Sequence, residues 1–237
     1  MNHYQRAETL RTAYRDRVHE ILAATEPTHA IGATVNRLAE GMTNQRRLHE
    51  RWRDLARVWV ETSRELATLR DDLTRERQDL RSRTERQLYG LAAGPNQLER
   101  QRHFMSAQKI VRDTLRGLNY ADHETVQTAR DELQALYTDA TLSDDTILAR
   151  AVARAAINHG WNNILEQHLA QHPGDKAHLD TLTALDRADD PTDFRDASAF
   201  NLIPPNELTG GQARIEIAAE TGINTTSPGG IEALATM

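Results

Sequence analysis

The chain of 237 residues has no cysteine, only two lysines among its 29 basic residues, and few aromatic residues, at 5%. Without cysteine, disulfide bonds and thiolate metal sites are excluded. No apolar run approaches the roughly 20 residues that cross a bilayer. The start, Met1 to Tyr4, contains no apolar signal core. These absences predict a chain that neither spans a membrane nor is exported by a cleaved signal.

Charge is plentiful and unevenly distributed. Residues 1–100 contain 18 Arg and Lys residues against 15 Asp and Glu residues, whereas residues 101–237 contain 11 against 20. Mixed charge of high density is typical of a solvated helical rod. The acidic second half disfavours nucleic-acid binding there, because such binding depends on an excess of basic residues.

Apolar residues recur at the alternating three-then-four spacing of a heptad repeat between Trp52 and Leu80. The residues between them are mostly Arg, Glu and Asp, so the repeat predicts a coiled-coil seam that joins helices within one chain or between copies. Its predicted contact residues are Trp52, Leu55, Trp59, Leu66, Leu69 and Leu73. Two tryptophans at this spacing are more often core or interface anchors than a ligand platform.

Helical periodicity and capping residues predict an all-α fold without strands. The predicted helices cover residues 4–24, about 32–91, 97–118, 122–139, 146–159, 161–173 and 176–188. The predicted architecture is a long coiled-coil helical hairpin, then a small helical bundle and an extended tail. The corresponding domains are residues 1–92, 96–188 and 189–237.

The segment 189–237 is interrupted by proline and glycine and retains only isolated apolar residues. Such a segment cannot build a core alone. We expect it to lie extended on a partner surface, with these residues as anchors: Phe194, Phe200, Leu202, Ile203 and Ile215.

Two groups of residues could hold a cation, but their patterns are incomplete. His168 and His172 would share a helix face, yet no carboxylate–histidine zinc signature accompanies them. The acidic residues of 189–196 lack the ligand ladder and turn glycine of a calcium loop. We therefore predict no metal and no other cofactor.

Arginines of the long helix could contact phosphates, and the acid-poor group Arg46, Arg47 and Arg51 is the best candidate for an anion contact. Elsewhere in this helix acidic residues lie at ion-pair spacing, for example Asp71 with Arg75. A salt-bridged surface is therefore the favoured interpretation, and a regulatory module that binds nucleic acid through this helix is the alternative.

Three stretches carry a family resemblance: Thr141–Asp145, the Ala-rich segment up to Gly160-Trp161, and Phe200–Leu208 with the sequence FNLIPPNEL. They resemble uncharacterised helical proteins from the virion-structure gene blocks of tailed phages that infect actinobacteria. The preference for Arg over Lys is similar to that of such hosts. The resemblance covers about a third of the chain and implies a capsid-associated, scaffolding or connector role, without assigning any functional residue.

The combined expectation is a non-enzymatic structural or assembly component of a phage particle, located in the virion or in the host cytoplasm during assembly. Its expected partners are its own copies, forming an oligomer, and capsid or portal-type proteins. A helical enzyme is a third class, but no arrangement of catalytic residues supports it.

Overall fold

The computed structural model describes residues 2–25, 37–91, 94, 96–190 and 194–237, with the side chains of residues 37–43 outside the description. Within these ranges the ordered elements are helices, and the all-α prediction is confirmed. The helices are α1 (His3–Ala24), α2 (Arg37–Leu88), α3 (Gln97–Thr114), α4 (His123–Leu142), α5 (Thr146–His159), α6 (Asn162–Gln171), a 3-10 turn (Pro173–Asp175), α7 (Lys176–Ala188), α8 (Arg195–Phe200), α9 (Asn206–Thr209), α10 (Gly211–Thr221) and α11 (Pro228–Ala235).

Local capping explains several helix ends. The side chain of Asn2 accepts a hydrogen bond from the Gln5 N–H at the start of α1, and Asp145 accepts one from the Leu148 N–H at the start of α5. These contacts satisfy amide groups that have no partner inside the helix. Asn96 directly precedes α3, but its backbone is left-handed and its side chain makes no capping bond.

Two compact units divide the chain. Unit 1 combines residues 1–75 with residues 194–237, and unit 2 is residues 76–193. This division differs from the predicted domains 1–92, 96–188 and 189–237, because the C-terminal segment packs with the N-terminal helices. The predicted start of the long helix near residue 32 and the predicted boundary at residue 92 lie outside the described residues.

The core of unit 1 forms around the heptad seam. Trp52, Leu55 and Trp59 pack with Tyr14 and Ile21 of α1, and also with side chains from the C-terminal helices. Those C-terminal side chains are Leu208, Ile217, Ile231 and Leu234. A second cluster joins Leu66 and Leu69 to Ala7 of α1 and Phe200 of α8. The seam is therefore covered by α1 and by C-terminal helices of the same chain, while the coiled-coil geometry stays a prediction.

The C-terminal segment is helical in unit 1, which corrects the expectation of an extended tail. Its apolar residues are isolated in sequence, but α8 to α11 bring them onto the seam. Phe200, Leu208 and Ile217 are all buried there. The segment lacks enough apolar surface for its own core, and the seam supplies the missing surface.

Unit 2 surrounds α5. This helix is buried along most of its length and contributes mainly small side chains, namely Ala149, Ala151, Ala153, Ala155 and Ala156. Alanine allows neighbouring helices to approach closely, so α3, α4 and α6 pack against it with Val111, Leu133 and Ile164.

Candidate functional site

The predicted interface residues of the seam hold unit 1 together. Trp52, Leu55, Trp59, Leu66 and Leu69 are buried, and Leu73 is half-buried. Burial within the chain explains the heptad pattern without a second copy. Farther along α2, Leu80 is exposed, as its position at the end of the repeat indicates.

The five predicted tail anchors separate into two groups. Phe200 is buried and Leu202 is half-buried, so both serve the internal core. Phe194, Ile203 and Ile215 remain 77%, 83% and 66% exposed, respectively. These three, here called the exposed anchors, are the predicted anchors that a partner can reach.

The backbone around Ile203 is fixed by hydrogen bonds from the core. The indole Nε1–H of Trp59 donates to the Leu202 carbonyl at 3.2 Å, and the Tyr14 hydroxyl donates to the Ile203 carbonyl at 3.5 Å. Pro204 and Pro205 follow directly and restrict the backbone further. Ile203 is therefore an exposed apolar side chain on a well-anchored backbone.

The proposed anion contact of Arg46, Arg47 and Arg51 already contains carboxylates. Arg46 pairs with Glu50 at 3.1 Å, and Arg51 lies 3.9 Å from Glu207. These acids compete with an external anion for the guanidinium groups. Arg47 is exposed and lies beside Arg51 in a shallow depression next to Leu48.

Other arginines of α2 also have acidic neighbours. In unit 1, Arg75 pairs with Asp72 at 3.0 Å and Arg64 lies 3.8 Å from Glu232. In unit 2, Arg81 pairs with Asp186 at 2.6 Å and with Asp189 at 2.8 Å. These pairs agree with the salt-bridged surface that the sequence favours over a phosphate-binding helix.

A buried ionic cluster lies in unit 2. Arg150 donates two hydrogen bonds to the Asp175 carboxylate, at 2.7 and 3.1 Å. Nε2 of the fully buried His168 lies 3.1 Å from the same carboxylate, so this nitrogen carries the hydrogen. Burial lowers the pKa of His168, because the charged imidazolium loses its hydration.

This cluster accounts for one of the two histidines considered as metal ligands. His168 is bonded to Asp175, and its ring lies 4.9 Å from the His172 ring, centroid to centroid. Within the ranges that the structure describes, His, Asp and Glu side chains nowhere gather in a group of three suited to a metal ion. Asp193, part of the considered acidic group, lies outside the described residues.

An open groove with a free volume of about 550 Å³ lies between α3 and α5. Its apolar part consists of Val111, Leu115, Ala151 and Ala155. Its polar part consists of Tyr89, Gln108, Arg112, Arg116, Arg154, Asn158 and His159. Among these described lining residues none is Asp or Glu, so the lining is basic.

The groove's polar side chains differ in how firmly they are held. Arg154 donates to Thr183 at 3.2 Å and also bonds Asp186. His159 bonds the Tyr120 hydroxyl and stacks on Trp161, with ring centroids 5.0 Å apart. Burial lowers the pKa of His159, which keeps the imidazole neutral at pH 7.

Sequence reasoning missed this groove. The helical spacing of Gln108, Val111, Arg112 and Leu115 places them on one side of α3 and its C-terminal end. This spacing was the one sequence feature that could have indicated a wall of the groove. Arg154 comes from α5 and Tyr89 from the turn after α2, and only tertiary packing brings them to the same place.

Comparisons with protein-family models, curated proteins and solved structures produced no match for this chain. In the part of the chain that the structure describes, no helix is both long and apolar enough to cross a membrane.

Proposed function

We propose that this protein is a non-enzymatic structural or assembly component, of the capsid-associated, scaffolding or connector type implied by its resemblance to tailed-phage proteins. It acts through helix and C-terminal contacts with its own copies or with capsid or portal-type proteins. The proposed setting is the virion, or the host cytoplasm during assembly.

The observation that carries this proposal is the exposed Ile203 on its fixed backbone. Removing an isoleucine side chain from water stabilises a contact by about 2 kcal/mol. Binding normally loses part of such a gain to the ordering of flexible groups. The hydrogen bonds from Trp59 and Tyr14 already order this segment, so little of the gain is lost.

The charge distribution supports a protein partner over nucleic acid. Nucleic-acid binding requires basic groups that can replace the counterions of phosphates. Arg46, Arg75 and Arg81 instead have carboxylates within 3.1 Å. A protein surface can contact such a mixed-charge face without displacing those pairs.

Light scattering at rising protein concentration tests the contact. We expect the mass of the wild-type chain to increase with concentration, and Ile203→Ser to prevent this increase. Leu142→Ser is the matched control, since Leu142 is equally exposed, at 81%, but lies in unit 2. If the masses of both variants changed equally with concentration, Ile203 would not belong to the contact.

In a phage that encodes the chain, mass spectrometry of purified particles and of assembly intermediates tests whether the protein belongs to the virion or to its assembly. We expect to find the protein in the particles or in the intermediates. A phage that carries Ile203→Ser should incorporate less of it. Absence from both, together with salt-dependent DNA or RNA binding in a gel shift, would favour the regulatory alternative.

A further inference from the structure

We propose that the groove between α3 and α5 is a binding site for a small organic anion, with a phosphate, sulfonate or carboxylate group on an apolar body. This inference goes beyond the assembly function. The groove lies wholly in unit 2, whereas the proposed protein contact lies in unit 1.

The charge of the lining points to an anion. Arg112 is exposed beside the groove and makes no ion pair with any residue of the described ranges. Arg116, four residues later, is held by Asp113 at 2.6 Å, and Arg154 extends from the opposite wall. Guanidinium groups bind phosphate, sulfonate and carboxylate through paired hydrogen bonds. Arg112 is thus the guanidinium most available to a ligand.

A tyrosine hydroxyl that opens into the groove provides a second, independent observation. Tyr89 is only 4% exposed and lines the groove, yet its hydroxyl has no hydrogen-bond partner in the described part of the chain. The hydroxyl is therefore accessible in the groove and free to donate to a ligand there. Burial also raises the pKa of Tyr89, so the hydroxyl keeps its proton and can donate to an anion.

The shape of the groove favours a small ligand over a protein segment. Its free volume of about 550 Å³ lies within the usual range for small-molecule sites, roughly 300–1,000 Å³. On α5 the lining runs only from Ala151 to His159, which is about 12 Å of helix. The apolar side chains Val111 and Ala155 can contact the ligand body while the arginines contact its charge.

Isothermal titration calorimetry of the full-length chain tests the site, with 2-naphthyl phosphate and naphthalene-2-sulfonate as probes and neutral 2-naphthylmethanol as reference. We expect each anion to bind once per chain and more tightly than the alcohol. Arg112→Gln should weaken anion binding about tenfold, since a charge-assisted bond contributes on the order of 1.4 kcal/mol. The same variant should change the affinity for the alcohol by less than about twofold.

Two further variants separate a specific site from general attraction. Tyr89→Phe removes only the hydroxyl and should weaken anion binding about threefold. Arg102→Gln removes an exposed positive charge of α3 that does not line the groove and should change binding less than about twofold. Equal losses in Arg102→Gln and Arg112→Gln would overturn the proposal. It would also be overturned if neither anion bound, or if only an acidic peptide such as Ac-Glu-Glu-Leu-Glu-Glu-NH2 bound.

Discussion

In unit 1 the buried side chains come from both ends of the chain, whereas in unit 2 they come from one continuous stretch, residues 76–193. Unit 1 buries large side chains such as Trp52, Leu66 and Phe200. Unit 2 packs its helices around the alanines of α5. The first core therefore depends on a distant segment, and the second on close approach of neighbouring helices.

Polar burial also distinguishes the units. Among the described residues, unit 1 buries the polar side chain of Thr225, while unit 2 buries Thr84, His168 and Asp175. A charged group in a core is tolerated only when its partners are in place. Unit 2 should thus respond to charge and pH, and unit 1 chiefly to lost apolar volume.

The largest single-residue effect is expected in unit 1. Leu66→Ala should lower the free energy of unfolding by about 4 kcal/mol, because it leaves a cavity at a fully buried position. Leu80→Ala, at the exposed end of the same heptad pattern, should cost less than about 1 kcal/mol. Urea denaturation measures both, and equal losses would show that the pattern alone, and not burial, sets the cost.

Breaking the ionic cluster should have the next largest effect, in unit 2. Asp175→Asn removes the charge that Arg150 and His168 contact and should cost about 3 kcal/mol. Asp180→Asn is the control, because Asp180 pairs with Lys176 at 3.0 Å on the exposed surface. Such exposed pairs contribute less than about 1 kcal/mol. A small loss with Asp175→Asn would mean that the cluster contributes little to unit 2.

Part of the pH dependence of stability should come from the same cluster. The pKa of His168 is lower in the folded state than in the unfolded chain, so below pH about 6.5 the unfolded state binds the extra proton. Stability should therefore be complete above that pH and fall as the solution becomes more acidic, by at most about 1.4 kcal/mol per pH unit for this group.

Urea denaturation at several pH values between about 5 and about 8 measures this dependence. His168→Gln keeps a donor for Asp175 but cannot titrate, so part of the decline should disappear. His159, whose pKa is also lowered, contributes in the same direction. An unchanged decline in His168→Gln would exclude His168 as a source.

A small effect is expected at the buried polar group of unit 1. Thr225 donates its hydroxyl hydrogen to the Leu208 carbonyl. Thr225→Val keeps the shape but removes this bond, and should cost about 1 kcal/mol. Its neighbour Thr226 is exposed, so Thr226→Val should be nearly neutral. Matching losses at the two positions would indicate an effect of threonine replacement itself, unrelated to the Leu208 contact.

The helices of unit 2 were predictable because their signals are local. The predicted bounds of α5 and α7 coincide with the observed Thr146–His159 and Lys176–Ala188. Asp145 caps one of them through a contact three residues away, which a sequence pattern can indicate. The order of packing around α5 depends on tertiary contacts and was not predictable.

The C-terminal segment was only partly predictable for the same reason. Its apolar residues were identifiable, but the sequence predicts an extended segment where α10 lies at Gly211–Thr221. The short helices α8, α9 and α11 have too few apolar residues for a periodic signal. Their apolar residues meet the seam about 140 positions away, as when Trp59 donates to the Leu202 carbonyl with a separation of 143. The groove was missed because Tyr89 and Arg154 meet only after folding.

Hydrogen exchange measured by mass spectrometry, on the full chain and on a version ending at Asp190, tests most directly that the C-terminal segment completes the core of unit 1. The truncated chain should lose amide protection in residues 44–75 of α2 and retain it in α3 to α7. A version lacking only Thr236 and Met237 should keep protection throughout. Undiminished protection of residues 44–75 without the segment would contradict the shared core.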